Sequence, residues 1–97
     1  MDLYAIRRRS NWADADELEA AAAKSTAEGE KMPDDVRWIR SYVVTEDDGK
    51  LGTVCIYEAS SPEAIREHAD RAGLPADEII PVADTVFVRP DPQPAAT

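Results

Sequence analysis

Apolar positions along this chain repeat every second residue in some stretches and every third or fourth in others, and six such stretches follow one another. Leu3, Tyr4, Ala5 and Ile6 open a short strand that runs to residue 9 and turns basic at its end. Trp12 is expected in the loop beyond it. From Asp14 the period lengthens, and Ala15, Leu18, Ala22 and Ser25 share one helical face. Asp14 and Glu17 have the spacing of a capping box, and the alanine run at 20–23 favours helix. Gly29 and Pro33 end that helix.

Residues 36–46 are rich in β-branched and aromatic side chains and predict the clearest strand. Asp48 and Gly49 suit a hairpin, so a return strand is predicted over 51–59, antiparallel to the first. Ser61 and Pro62 form a helix start, and Gly73 and Pro75 a stop. The apolar face between them holds Ala64, Ile65, Ala69 and Ala72, with His68 on the same side. A last strand is predicted over 79–89, with Pro81 at its start or edge. Residues 1–89 read as one domain, and 90–97, with three prolines, as a mobile tail.

The order β-α-β-β-α-β predicts an α+β, ferredoxin-like sandwich: a four-stranded antiparallel sheet in order 4-1-3-2 with both helices on one face. Two helices shield one face only. The second strand nevertheless carries apolar groups in both phases, with Ile39, Ser41 and Val43 in one and Val36, Trp38, Tyr42 and Val44 in the other. An uncovered face of that kind is a large apolar patch. It predicts a homodimer with sheets facing each other, as in dimeric α/β-barrel assemblies. The plainer alternative is an amphipathic face around a small-molecule cleft.

Charge narrows the partners. Twenty acidic residues against eleven basic ones give a net charge of −9. That balance disfavours nucleic acid and anionic membranes, which both call for a basic footprint. It suits cation binding, and equally a solvated surface that keeps the protein dispersed. The one cysteine, Cys55, excludes an internal disulfide and a cysteine-based zinc site. With no apolar leader and no membrane-length apolar run, a cytoplasmic protein is expected.

His68, the only histidine, has two readings. It is a metal ligand or general acid–base, or a structural ring bonded to a backbone carbonyl or hydroxyl. Glu58 and Glu67 are candidate oxygen ligands beside it. Trp38, Tyr42 and Tyr57 are candidates to line a ligand site, although aromatics at strand spacing more often form core or interface. Cys55 reads as a small hydrophobe rather than a nucleophile. Arg7, Arg8 and Arg9 could hold an anion, with ion pairs to nearby acids as the plainer role.

Three stretches together resemble a known family. They are residues 38–43, residues 55–59, and residues 64–69 with the Gly73 to Ala76 ending. They look like the small nickel-binding-protein-like family, a domain of unknown function, over roughly residues 1–89. The resemblance implies a ferredoxin-like fold, a homodimer, and a divalent metal, nickel, with His68 as the matching position. Three functions follow as expectations: a metal-binding homodimer, a small dimeric α/β-barrel enzyme acting on an organic substrate, or a non-catalytic ligand-binding module.

Overall fold

The computed structural model describes residues 1–92. Six elements follow in order: β1 (Asp2–Trp12), α1 (Ala15–Gly29), β2 (Val36–Thr45), β3 (Leu51–Ala59), α2 (Pro62–Ala72) and β4 (Glu78–Pro81). They form one antiparallel sheet ordered β2-β3-β1-β4, the same order as expected, with α1 and α2 on one face.

The helix ends follow their local chemistry. The Asp14 side chain accepts from the Glu17 amide at 3.0 Å, and Glu17 accepts from the Ala13 amide, so the first turn is capped from both directions. Ser61 accepts from the Ala64 amide, Pro62 opens α2, and Gly73 closes it in the left-handed region at φ 68°.

β1 is longer than expected. Ser10, at φ 50°, interrupts the pairing after Arg8, and the strand resumes with Trp12 opposite Leu51. Trp12 is therefore a buried strand residue rather than a loop residue. β4 is shorter than expected. It runs antiparallel to β1, with Glu78 opposite Arg7 and Pro81 opposite Tyr4. The Val82 amide still reaches the Leu3 carbonyl, but β1 then runs out, so the β-rich residues 85–88 have no strand to join.

Opposed residues of antiparallel strands share a face. Tyr4, Ile6, Arg8, Thr53, Cys55, Tyr57, Val36 and Trp38 thus face the helices. Most are buried, and Tyr4, Ile6, Val36, Cys55 and Tyr57 share one core with Ala64 and Ile65 of α2. Ile39 is an extra residue in β2, between Trp38 and Arg40. The bulge shifts the alternation, so Ser41 and Val43 join Trp38 on the helix side, and Arg40, Tyr42 and Val44 turn to the back. The expected grouping of Trp38 with Tyr42 is corrected by that one residue.

The back face is partly covered by the chain itself. Residues 82–92 cross it, and Asp91 accepts from Tyr42 Oη and Arg40 Nη1 at 2.8 and 2.9 Å. Asp91 belongs to the expected mobile tail; residues 93–97 of that tail lie outside the described residues. Among the described residues no helix is long and apolar enough to cross a membrane.

Candidate functional site

α1 meets the sheet with a face of mostly small side chains: Ala15, Leu18, Ala22 and Ser25. Only Ser25 of this helix is buried. Alanine and serine cannot fill the span from helix axis to sheet, so clefts remain on both sides of Ser25. One, of about 280 Å³, lies under the first half of α1 between Trp12, Leu18, Trp38 and Leu74. The other, of about 350 Å³, lies at its C-terminal end between Glu30, Asp34, Trp38 and His68.

His68 is 1% exposed. Its Nε2 lies 3.0 Å from the Ser25 carbonyl oxygen. A carbonyl oxygen only accepts, so Nε2 donates, and in the neutral ring Nδ1 is the acceptor nitrogen. Nδ1 has no partner among the described residues. The ring is tilted against Tyr57, with centroids 5.6 Å apart. Tyr57 in turn stacks on Trp38 at 6.1 Å and 9°, and its hydroxyl shares a hydrogen bond with Ser25 Oγ at 3.3 Å. Burial holds the Tyr57 phenol above its ordinary pKa, and the Ser25 bond offsets part of that.

The expected donors to a metal are not brought together. Glu58 pairs across the sheet with Leu3 and Arg37, on the face away from the helices, and its carboxylate is 4.0 Å from Arg37. Glu67 lies on the exposed side of α2 and pairs with Arg71 at 2.8 Å. Among the described residues no group of three or more His, Cys, Asp or Glu side chains is placed to hold a metal ion. The carboxylates that border the cleft of His68 are Glu30 and Asp34. Sequence spacing gave no sign of them, because α1 and the turn after it reach His68 only in the folded chain. Of the expected aromatic trio, Trp38 and Tyr57 share the helix side and Tyr42 lies behind the sheet.

The arginine run divides. Arg7 makes a two-oxygen pair with Glu46, at 2.7 and 2.9 Å, and Arg9 pairs with Glu78. That hydrogen bond with Arg7 holds the Glu46 carboxyl below its ordinary range. Arg8 is different: it points under α1 and is 2% exposed. Its Nε donates to the Pro75 carbonyl at 2.6 Å, and its Nη1 lies 3.5 Å from Cys55 Sγ. Ser41 Oγ also donates to Cys55 Sγ, at 3.0 Å, and accepts from Trp38 Nε1.

These features define a small ferredoxin-like α+β domain with two clefts under its first helix. Residues 4–82 match the SCO4226-like family, described as nickel responsive protein SCO4226-like, and the chain belongs to that family. The crystal structure of SCO4226 from Streptomyces coelicolor A3(2) has the same fold. It superposes with a TM-score of 0.67 at 24% identity, covering 87% of this chain and 99% of that one. No curated protein matches the chain.

Proposed function

We propose that this chain is a nickel-responsive binding protein that works as a homodimer. The observation that carries the metal reading is the unpartnered Nδ1 of His68, in a residue that borders an acid-rimmed cleft. Family membership supports nickel as the metal. Nickel takes nitrogen and oxygen donors in octahedral or planar sites, which imidazole and carboxylate supply. One chain offers one imidazole and, among the described residues, no ready group of three donors, so the donors of a single chain do not by themselves fit the metal. The reading therefore has water and a second copy complete the shell. Glu30 and Asp34 replace Glu58 and Glu67 as its carboxylates.

The homodimer has its own support. Ile39 and Ile80 remain about half exposed, and Val86, Phe87 and Val88 are 87%, 70% and 76% exposed. Ile39 and Val86 to Val88 border one cleft behind the sheet, and exposed apolar groups of this kind suit a second copy.

Calorimetric titration with nickel tests the metal reading. His68→Gln keeps a donor for the Ser25 carbonyl and removes the imidazole, and it is expected to weaken nickel binding by at least about tenfold. Equal nickel affinity in that variant would contradict the assignment. Light scattering at micromolar concentration is expected to give twice the chain mass, and a monomer would contradict the assembly.

A further inference from the structure

Arg8 and Thr53 stand directly opposite each other across β1 and β3, both on the helix side of the sheet. They are 2% and 4% exposed. Arg8 Nη2 and Thr53 Oγ1 are both buried with no partner among the described residues. Both side chains line the cleft under the first half of α1. A buried guanidinium is ordinarily matched by a carboxylate, because an unmatched buried charge is costly. Arg7 and Arg9 each have such a match, whereas no acidic group of the described residues pairs with Arg8. The rest of the cleft wall is mostly apolar, with Trp12, Leu18, Ala22, Trp38, Val43 and Leu74, and Glu19, Ser25 and Ser41 are its other polar members.

We infer that this cleft is a binding site for a small organic carboxylate, with its anionic end on Arg8 Nη2 and Thr53 Oγ1 and its apolar body between Trp12 and Trp38. A guanidinium N–H and a hydroxyl are both donors, and together they meet the two oxygens of one carboxylate. The wall beyond them offers a ligand mostly apolar surface, which favours an acid with an apolar body over a bare inorganic anion. A cavity of about 280 Å³ admits a molecule of the size of a short fatty acid or an aromatic acid. The site shares Ser25, Trp38 and Tyr57 with the wall of the His68 cleft, but it includes neither His68 nor Glu30 and Asp34 and does not depend on nickel.

Trp12 and Trp38 are the only tryptophans, and both line the cleft, so intrinsic fluorescence reads occupancy directly. The probes are benzoate and hexanoate, with benzyl alcohol as the uncharged counterpart and inorganic phosphate as the anion without an apolar body. At least one carboxylate is expected to change the emission saturably, and to bind at least about tenfold more tightly than benzyl alcohol or phosphate. Thr53→Val, which keeps the shape, is expected to weaken it several-fold. Ala22→Phe, which fills the cleft from the helix side and leaves Arg8 in place, is expected to abolish it. No saturable change with either carboxylate at millimolar concentration would overturn the inference, and the cleft would then be a hydrated gap. Equal binding of benzyl alcohol, or full binding by the Ala22→Phe variant, would overturn it as well.

Discussion

Trp38 and Tyr42 belong to one strand, four positions apart, and lie on opposite faces of the sheet. The bulge at Ile39 separates them. Trp38 stacks on Tyr57 under α1, whereas Tyr42 donates to Asp91 of the segment behind the sheet. Tyr42→Phe is therefore expected to leave stability within about 0.5 kcal/mol, since the bond is exposed. It is expected to raise amide hydrogen exchange in residues 83–92 without altering the tryptophan emission. Hydrogen exchange read by mass spectrometry checks this; unchanged protection in that segment would mean that Asp91 is held by Arg40 alone.

Tyr57 carries a pH dependence on the alkaline side. Its phenol is raised above 10.0, chiefly by burial, so the folded form holds the proton more tightly than the unfolded chain. The stability linked to it is complete below the unfolded value and falls as pH rises from there through the folded one. Absorbance titration of the three tyrosines is expected to show one ionising last, and Tyr57→Phe is expected to remove that late step.

Glu46 works in the opposite direction. Its carboxyl lies below 4.5, chiefly through the hydrogen bond with Arg7, with the Ser10 amide adding to it. The folded form then binds fewer protons than the unfolded chain in acid. Its contribution is present above the ordinary value and lost as pH falls through the lowered one. Thermal melts of the wild type and Glu46→Gln are expected to differ at pH 7 and to converge in acid, once pH has fallen below the lowered value of the folded form. A gap that stayed constant into acid would show that the charge plays no part.

Gly52 is fixed by contact rather than by backbone angle. A methyl group there would sit 2.6 Å from the Arg8 carbonyl oxygen and would run into the Glu46 carboxylate. Glu46 can swing aside, but the β1 backbone cannot. Gly52→Ala is expected to cost about 1–3 kcal/mol by urea unfolding. A cost under about 0.5 kcal/mol would mean that the edge of β1 yields more than its pairing suggests.

Most of the fold was legible because its signals are local. Asp14, Ser61, Pro62 and Gly73 mark the helix ends, and the strand order follows from the element order. What was not legible depends on single residues acting across the sheet. The Ile39 bulge breaks an alternation that looks continuous in sequence. β4 ends at Pro81 opposite Tyr4, and beyond it β1 offers only Leu3 and Asp2, too few to pair the β-rich run at 85–88. The ion pair of Arg7 with Glu46 joins residues 39 positions apart. Arg8 looked like one of three equivalent arginines, and strand alternation alone turns it under α1. His68 was legible as an inward-facing residue, but the ring's bond to Ser25 and the approach of Glu30 and Asp34 depend on where α1 packs.

The proposed nickel site uses the one imidazole of each chain, and X-ray absorption at the nickel edge of the loaded protein is its sharpest test. The expected result is a first shell of nitrogen and oxygen with the outer-shell scattering of imidazole, lost in His68→Gln. A sulfur shell, which Cys55 alone could supply among cysteines, or an oxygen-only shell without imidazole would contradict it.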